Sequence, residues 1–96
     1  MNKDDVVSVI ALGAEYVGKL EEVKENSIVL NNPVMVMVTE QGMGFAASLA
    51  MTGEESPKQA ELRGYTLVTK TNSQVEAAYR QHTSGLITKP KTGLIV

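Results

Sequence analysis

The chain has no cysteine and only one histidine, His82, among its 96 residues. Without cysteine it can form neither a disulfide nor a thiolate metal site, and one histidine cannot supply a multi-histidine ligand set. No apolar run approaches the roughly 20 residues needed to span a bilayer. The first five residues include two aspartates, where a signal peptide would be basic. These absences predict a cytoplasmic protein that holds no metal or other cofactor and has no membrane partner.

The chain also has little net charge. Nine basic and eleven acidic residues give a formal charge of −2, so there is no global electrostatic attraction to nucleic acid or anionic lipid. Any nucleic-acid binding must therefore depend on a local group of residues. A chain of this length forms one domain, residues 1–96, which buries about 60–65% of the surface exposed by its unfolded chain.

Residue pairs suited to catalysis are lacking as well. The serine nearest the histidine is Ser84, two positions after His82, and helical side chains at that spacing do not face each other. The acidic residues Glu21 and Glu22 are adjacent, so on a strand their side chains point to opposite faces. The sequence therefore predicts that the protein is not an enzyme.

Short apolar segments follow one another closely along most of the chain. Their β-branched and aliphatic residues, separated by glycine, asparagine and proline, predict antiparallel strands. Gly18 lies inside the second segment, where glycine usually marks a bulge or a sharp bend that lets a sheet fold back on itself. The predicted strands occupy residues 6–12, 15–24, 27–38, 45–51 and 61–70.

One short C-terminal helix is predicted over residues 74–84, followed by a tail or edge strand at 88–96. Ser73 and Glu76 have the spacing of a capping box, and Gly85 is well placed to end the helix. A helix of this length must pack on the sheet to be stable, so we expect its histidine to be structural rather than a base or a ligand. The apolar stripe of the helix consists of Val75, Ala78, Tyr79 and His82.

Residues 34–38 form an apolar run without alternation. Such a run predicts a strand that is covered on both faces. We expect a second subunit to cover the second face, which would make the protein self-associate. The alternative is that the C-terminal helix covers this face within one chain.

Four segments follow one another in a characteristic order, at residues 7–13, 16–20, 27–30 and 62–64. Together they resemble the Sm-like (LSm) family, whose small, strongly bent barrels assemble into rings and commonly bind RNA. Residues 7–13 are similar to the family's first strand and glycine turn, residues 16–20 to its bent second strand and residues 27–30 to its third. Leu62-Arg63-Gly64 resembles the Arg-Gly of the second motif. The resemblance covers residues 6–70 in outline. With the predicted helix, it implies a mainly β fold: a strongly bent five-stranded antiparallel barrel, Sm-like or SH3-like, with one short C-terminal helix.

The chain departs from the family pattern in two places. The turn at residues 24–27 lacks the aspartate that the family usually carries there, and Asn26 stands in, at a shifted position, for the asparagine that contacts the base in the family. In the family the Arg-Gly lies in a tight loop between the last two strands, whereas here a long polar loop at residues 52–60 precedes Arg63. The first departure leaves one candidate side chain for base recognition, and the second predicts that Arg63 lies away from a shared pore.

The resemblance implies a homo-oligomeric ring that holds single-stranded RNA or DNA between subunits. Such binding needs an aromatic stacking surface, groups that hydrogen-bond to base edges, and cations for the phosphates. The candidates are Asn26 for base edges, Arg63 with Gly64 for a base or phosphate, and Tyr65 for stacking. Each has a structural alternative: Asn26 as a turn former, Arg63 as a strand-surface cation and Tyr65 as a core residue.

A second hypothesis is a structural or adaptor ring without a nucleic-acid ligand, for instance in a phage particle. The net charge of −2 favours this role. So do the apolar residues 34–38 and 94–96, which suit contacts with protein.

Overall fold

The computed structural model describes residues 1–46, 48–50 and 52–88, with side chains as far as residue 84. The described chain consists of six antiparallel strands and a C-terminal helix, which confirms the predicted mainly β class with one helix. Apart from Thr88, the predicted tail at 88–96 lies outside the described residues. The elements are β1 (Val6–Ala11), β2 (Ala14–Val23), β3 (Ser27–Thr39), β4 (Gly42–Ala46), β5 (Gln59–Arg63), β6 (Tyr65–Lys70) and α1 (Ser73–Thr88).

The strands form one bent sheet in the order β4-β3-β2-β1-β6, and β5 pairs with the first part of β3. The long strand β3 serves two partners on one side, since residues 27–31 pair with β5 and residues 35–39 pair with β4. Only Gly64 separates β5 from β6, yet no ladder joins these two strands in the described part of the chain. The sheet is therefore unclosed, and it has six strands where the sequence predicts five.

Two strands differ from the prediction for local reasons. The predicted strand at 61–70 is split at Gly64, whose φ of +65° interrupts the extended backbone. The strand predicted at 45–51 instead begins at Gly42, because the tight turn at residues 40–41 pairs Gly42 with Thr39. The hairpin register thus decides where β4 begins.

One face of the sheet carries an inner cluster of buried side chains. Gly18 lies beside this cluster, where a Cβ would come within 3.0 Å of the Leu30 Cβ and 3.2 Å of the Pro33 Cα. The register of β2 against β3 shifts at this glycine, which confirms the predicted irregularity in the second strand. The inner cluster consists of Val7, Val9, Leu20, Ile28 and Leu30, with Tyr16, Leu62, Tyr65 and Val68 packed against it.

The opposite face carries a helix cluster that joins α1 to the sheet. Tyr79 is fully buried there, and its hydroxyl donates to the carbonyl oxygens of Asn32 at 2.7 Å and Asn31 at 3.2 Å. Burial raises the pKa of Tyr79 to about 12. The helix cluster consists of Val6, Val17, Val34 and Tyr79, with Val36, Phe45 and Val75 packed against it.

This packing bears on the coverage of residues 34–38. The helix of the same chain packs against Val34 and Val36, as in the intramolecular alternative. Val38, further along β3, is 80% exposed. The helix therefore covers only the beginning of the apolar run.

Both ends of α1 differ from the prediction. The N-cap is Asn72 rather than Ser73, since the Asn72 Oδ1 accepts from the N–H of Val75 at 2.9 Å. Asparagine and serine are both strong N-caps, and Glu76 pairs with Arg80 instead of completing a capping box. The helix also continues past Gly85 to Thr88; a single glycine costs only about 1 kcal/mol in a helix.

The histidine lies within α1 and contacts the sheet. The rings of His82 and Phe45 are 5.4 Å apart between centroids, and burial lowers the pKa of His82. The contact between His82 and Phe45 is thus an aromatic contact between the helix and the sheet.

Candidate site at the junction of β5 and β6

The structure brings three of the four predicted site residues together at Gly64. This glycine adopts the left-handed conformation that glycine tolerates best, and its N–H donates to the carbonyl oxygen of Asn26 at 2.9 Å. Arg63 lies opposite Ser27, the residue after Asn26, in the β3–β5 ladder. The turn that carries Asn26 therefore lies beside the Arg63-Gly64 junction, and all three residues are exposed.

That Arg63 lies away from a shared pore stays a prediction, since it concerns an assembly of several chains. The polar loop precedes β5 and does not lie between the last two strands. Arg63 and Gly64 instead form a tight junction between β5 and β6. This junction contacts the turn that carries Asn26 through the hydrogen bond from Gly64.

Tyr65, the fourth predicted residue, begins β6 opposite Ala11. It is partly buried and packs against the inner cluster. Its ring thus contributes to the core next to the junction, which corresponds to its structural alternative.

A shallow depression of about 280 Å³ adjoins the junction, between the β1–β2 turn and β5. Tyr16 supplies an aromatic side chain to its lining, and Glu61 and Arg63 supply charges of opposite sign. At the rim, the Leu12 side chain is 90% exposed. The backbone φ of Leu12 is +54°, a value that residues other than glycine and asparagine seldom adopt. The remaining lining residues, Ala11, Leu12 and Leu62, are apolar.

Glu61 is held in place by its neighbours on one side of the carboxylate. Its Oε2 accepts a hydrogen bond from the buried hydroxyl of Ser27 at 2.6 Å and lies 3.7 Å from the Nζ of Lys24. The hydrogen bond from Ser27 has the largest effect and lowers the pKa of Glu61. Burial opposes this shift, and the positive charges of Lys24 and Arg63 add to it, so the pKa is lowered overall. The carboxylate is therefore ionised at neutral pH.

The sequence-based candidates did not include Glu61 or Tyr16. The alternation of residues along β5 could have indicated Glu61. Leu62 packs against the inner cluster, so Glu61 and Arg63 on either side of it point together to the other face of the strand. The hydrogen bond from Ser27 to Glu61 spans 34 positions in sequence, so only the fold brings these two side chains together.

The two strands at the junction each have an open edge. The N–H of Gly64 and the carbonyl of Lys58 bond to residues on the β3 side. Because backbone groups alternate in direction along a strand, those of residues 59, 61 and 63 face away from β3. Directly after β6, the N–H of Thr71 donates to the carbonyl oxygen of Val6 in β1, so the backbone groups of residues 68 and 70 face away from β1. Neither open edge has a partner strand among the described residues.

Two other kinds of feature, a group of metal ligands and a membrane-spanning helix, are absent from the described residues. The described residues contain no group of three or more His, Asp or Glu side chains arranged to hold a metal ion. No helix in residues 1–46, 48–50 and 52–88 has both the length and the apolarity needed to cross a membrane. The chain matches no protein-family model and no curated protein. The β5–β6 junction combines a depression with two open strand edges.

Proposed function

We propose that the chain is a ring-forming protein of the Sm-like type that binds single-stranded RNA or DNA at its subunit boundaries. The observation that carries the proposal is the hydrogen bond from Gly64 to Asn26. It joins the two candidate turns at a point flanked by the open edges of β5 and β6. Recognition groups and assembly edges therefore occupy one region of the molecule.

The open edges suit a ring. If β5 of one copy pairs with β6 of the next, each copy uses two different surfaces, and such contacts close into a ring when the rotation returns to its start. In such a ring of Sm-like type, the bent sheet of each copy would continue into the sheet of the next. Each boundary then repeats the same site, so contacts that are weak singly act together on one strand of nucleic acid.

The side chains at the junction have the chemistry that single-strand binding needs. Tyr16 offers a surface on which a base stacks, and Asn26 can both donate to and accept from base edges. Arg63 supplies a cation for a phosphate or a base. Since the chain as a whole carries a charge of −2, this local cation would account for much of the salt dependence of binding.

Fluorescence anisotropy of labelled oligonucleotides at several salt concentrations tests this function. We expect binding at micromolar protein or tighter that weakens as salt rises. Arg63→Ala should weaken the binding of all sequences similarly and lower the salt slope by about 0.7, the value for one lost phosphate contact on a single strand. Arg80→Ala is the matched control, because Arg80 lies on α1 and pairs with Glu76.

Two results would count against the proposal. A salt slope that Arg63→Ala leaves unchanged would remove Arg63 from the site. Wild-type protein that binds no oligonucleotide even at low salt would exclude the nucleic-acid role.

The second candidate function is a structural or adaptor ring, as in a phage particle. It is favoured by exposed apolar side chains on the β3–β4 hairpin, where Val38 is 80% and Met43 51% exposed. Val38 and Met43 lie directly opposite each other, so their side chains share a face. Contiguous exposed apolar surface of this kind marks contacts with other proteins. An intact oligomer that binds no nucleic acid would favour this role.

A further inference from the structure

Glu61 is the carboxylate that lines the depression at the junction. Its Oε2 accepts one hydrogen bond, from the buried Ser27, and lies 3.7 Å from the Nζ of Lys24, which is too far for a second. A carboxylate oxygen has two acceptor sites, so Oε2 can accept one more hydrogen bond. No hydrogen bond from the described residues occupies the other oxygen, Oε1. The depression therefore presents a negatively charged carboxylate that is held in position and can accept further hydrogen bonds.

An ionised carboxylate only accepts hydrogen bonds, and this limits which base edge it can recognise. Guanine presents two adjacent donors, its N1–H and its 2-amino group, which match the two oxygens of a carboxylate. Uracil has one donor flanked by two carbonyl oxygens. Adenine and cytosine each place an amino donor next to an unprotonated ring nitrogen. If one of these three bases paired with the carboxylate, at least one acceptor atom of the base would lie against a negatively charged oxygen.

We propose that Glu61 makes this site selective for guanine, by accepting hydrogen bonds from N1–H and the 2-amino group of an unpaired guanine. The inference rests on the proposed function, because it specifies the base that the single-strand site prefers. Tyr16 and the apolar lining provide the stacking surface for that base. Arg63, two residues along the same strand, is placed for the adjoining phosphate.

The experiment compares four labelled hexanucleotides in which uridine alternates with guanosine, inosine, adenosine or cytidine. We expect the guanosine oligomer to bind the wild-type protein at least about fivefold more tightly than the adenosine oligomer. The inosine oligomer should lie between them, because inosine keeps the N1–H and lacks the 2-amino group. This comparison tests the contact on the unmodified protein.

Glu61→Gln tests the same contact from the protein side. Its amide oxygen can still accept from Ser27, but its amide nitrogen replaces one acceptor with a donor. We expect the guanosine preference to fall to within about twofold, while circular dichroism shows an unchanged fold. Glu40→Gln is the control for charge, because Glu40 lies in the β3–β4 turn and does not line the depression.

The outcomes separate this inference from the function on which it rests. Equal binding of all four oligomers would overturn guanine selectivity and leave the single-strand function standing. A guanosine preference that survives Glu61→Gln would overturn the role of Glu61. Absence of binding to every oligomer would overturn the proposed function, and the inference with it.

Discussion

Tyr79→Ala is expected to lower the free energy of unfolding by about 3–5 kcal/mol, the usual cost of truncating a large buried aromatic residue. Tyr79 is fully buried in the helix cluster. Its ring meets Phe45 edge to face at 6.5 Å, and its hydroxyl satisfies the carbonyl oxygens of Asn31 and Asn32. This one side chain thus holds α1 against residues 31 and 32 of β3. Its loss should remove much of the stability of a small domain.

Urea denaturation followed by circular dichroism measures the effect. Tyr79→Phe keeps the ring and loses only the hydroxyl, so we expect a smaller loss of about 1–2 kcal/mol. Arg80→Ala, the next residue on the same helix, removes an exposed pair and should cost at most about 0.5 kcal/mol. A loss below about 1 kcal/mol for Tyr79→Ala would show that α1 does not dock through this side chain.

The double variant Gln59→Pro/Lys70→Pro is expected to convert a multi-subunit particle into single chains of 10.3 kDa. Gln59 begins β5 and Lys70 ends β6, and the N–H of each faces the open edge of its strand. Proline removes these donors and obstructs an incoming strand, while the backbone hydrogen bonds within the chain remain. The change therefore acts on assembly rather than on the fold.

Light scattering after size-exclusion chromatography gives the particle mass. The control is Gln59→Ala/Lys70→Ala, which removes the same side chains, including the hydrogen bond from Gln59 to Asn31, and keeps both N–H groups. This control should retain the full mass. If the double proline variant kept the particle mass of the wild-type protein, the subunit boundary would lie away from β5 and β6.

The elements of the fold follow from patterns that are local in sequence. β-branched segments predicted the strands, and the stripe through Tyr79 predicted the helix because both signals repeat within a few residues. The split at Gly64 was missed, since glycine at one position interrupts a strand only when its φ becomes positive. The N-cap was misplaced by one residue because Asn72 and Ser73 are both capable caps.

The candidate site was predictable where a short motif carried it. The family resemblance points to Arg63-Gly64 and Asn26, and the structure places them side by side. Glu61 was not, because its role depends on contacts with Ser27 and Lys24 that arise only when β5 pairs with β3. Pairing between distant strands is what local periodicity does not specify.

Native mass spectrometry of the purified protein, mixed with the alternating uridine–guanosine hexanucleotide, tests the proposed role most directly. We expect a discrete particle whose mass is several times 10.3 kDa and which carries bound oligonucleotide. A single chain of 10.3 kDa without oligonucleotide, at micromolar protein and low salt, would contradict both the ring and the nucleic-acid site.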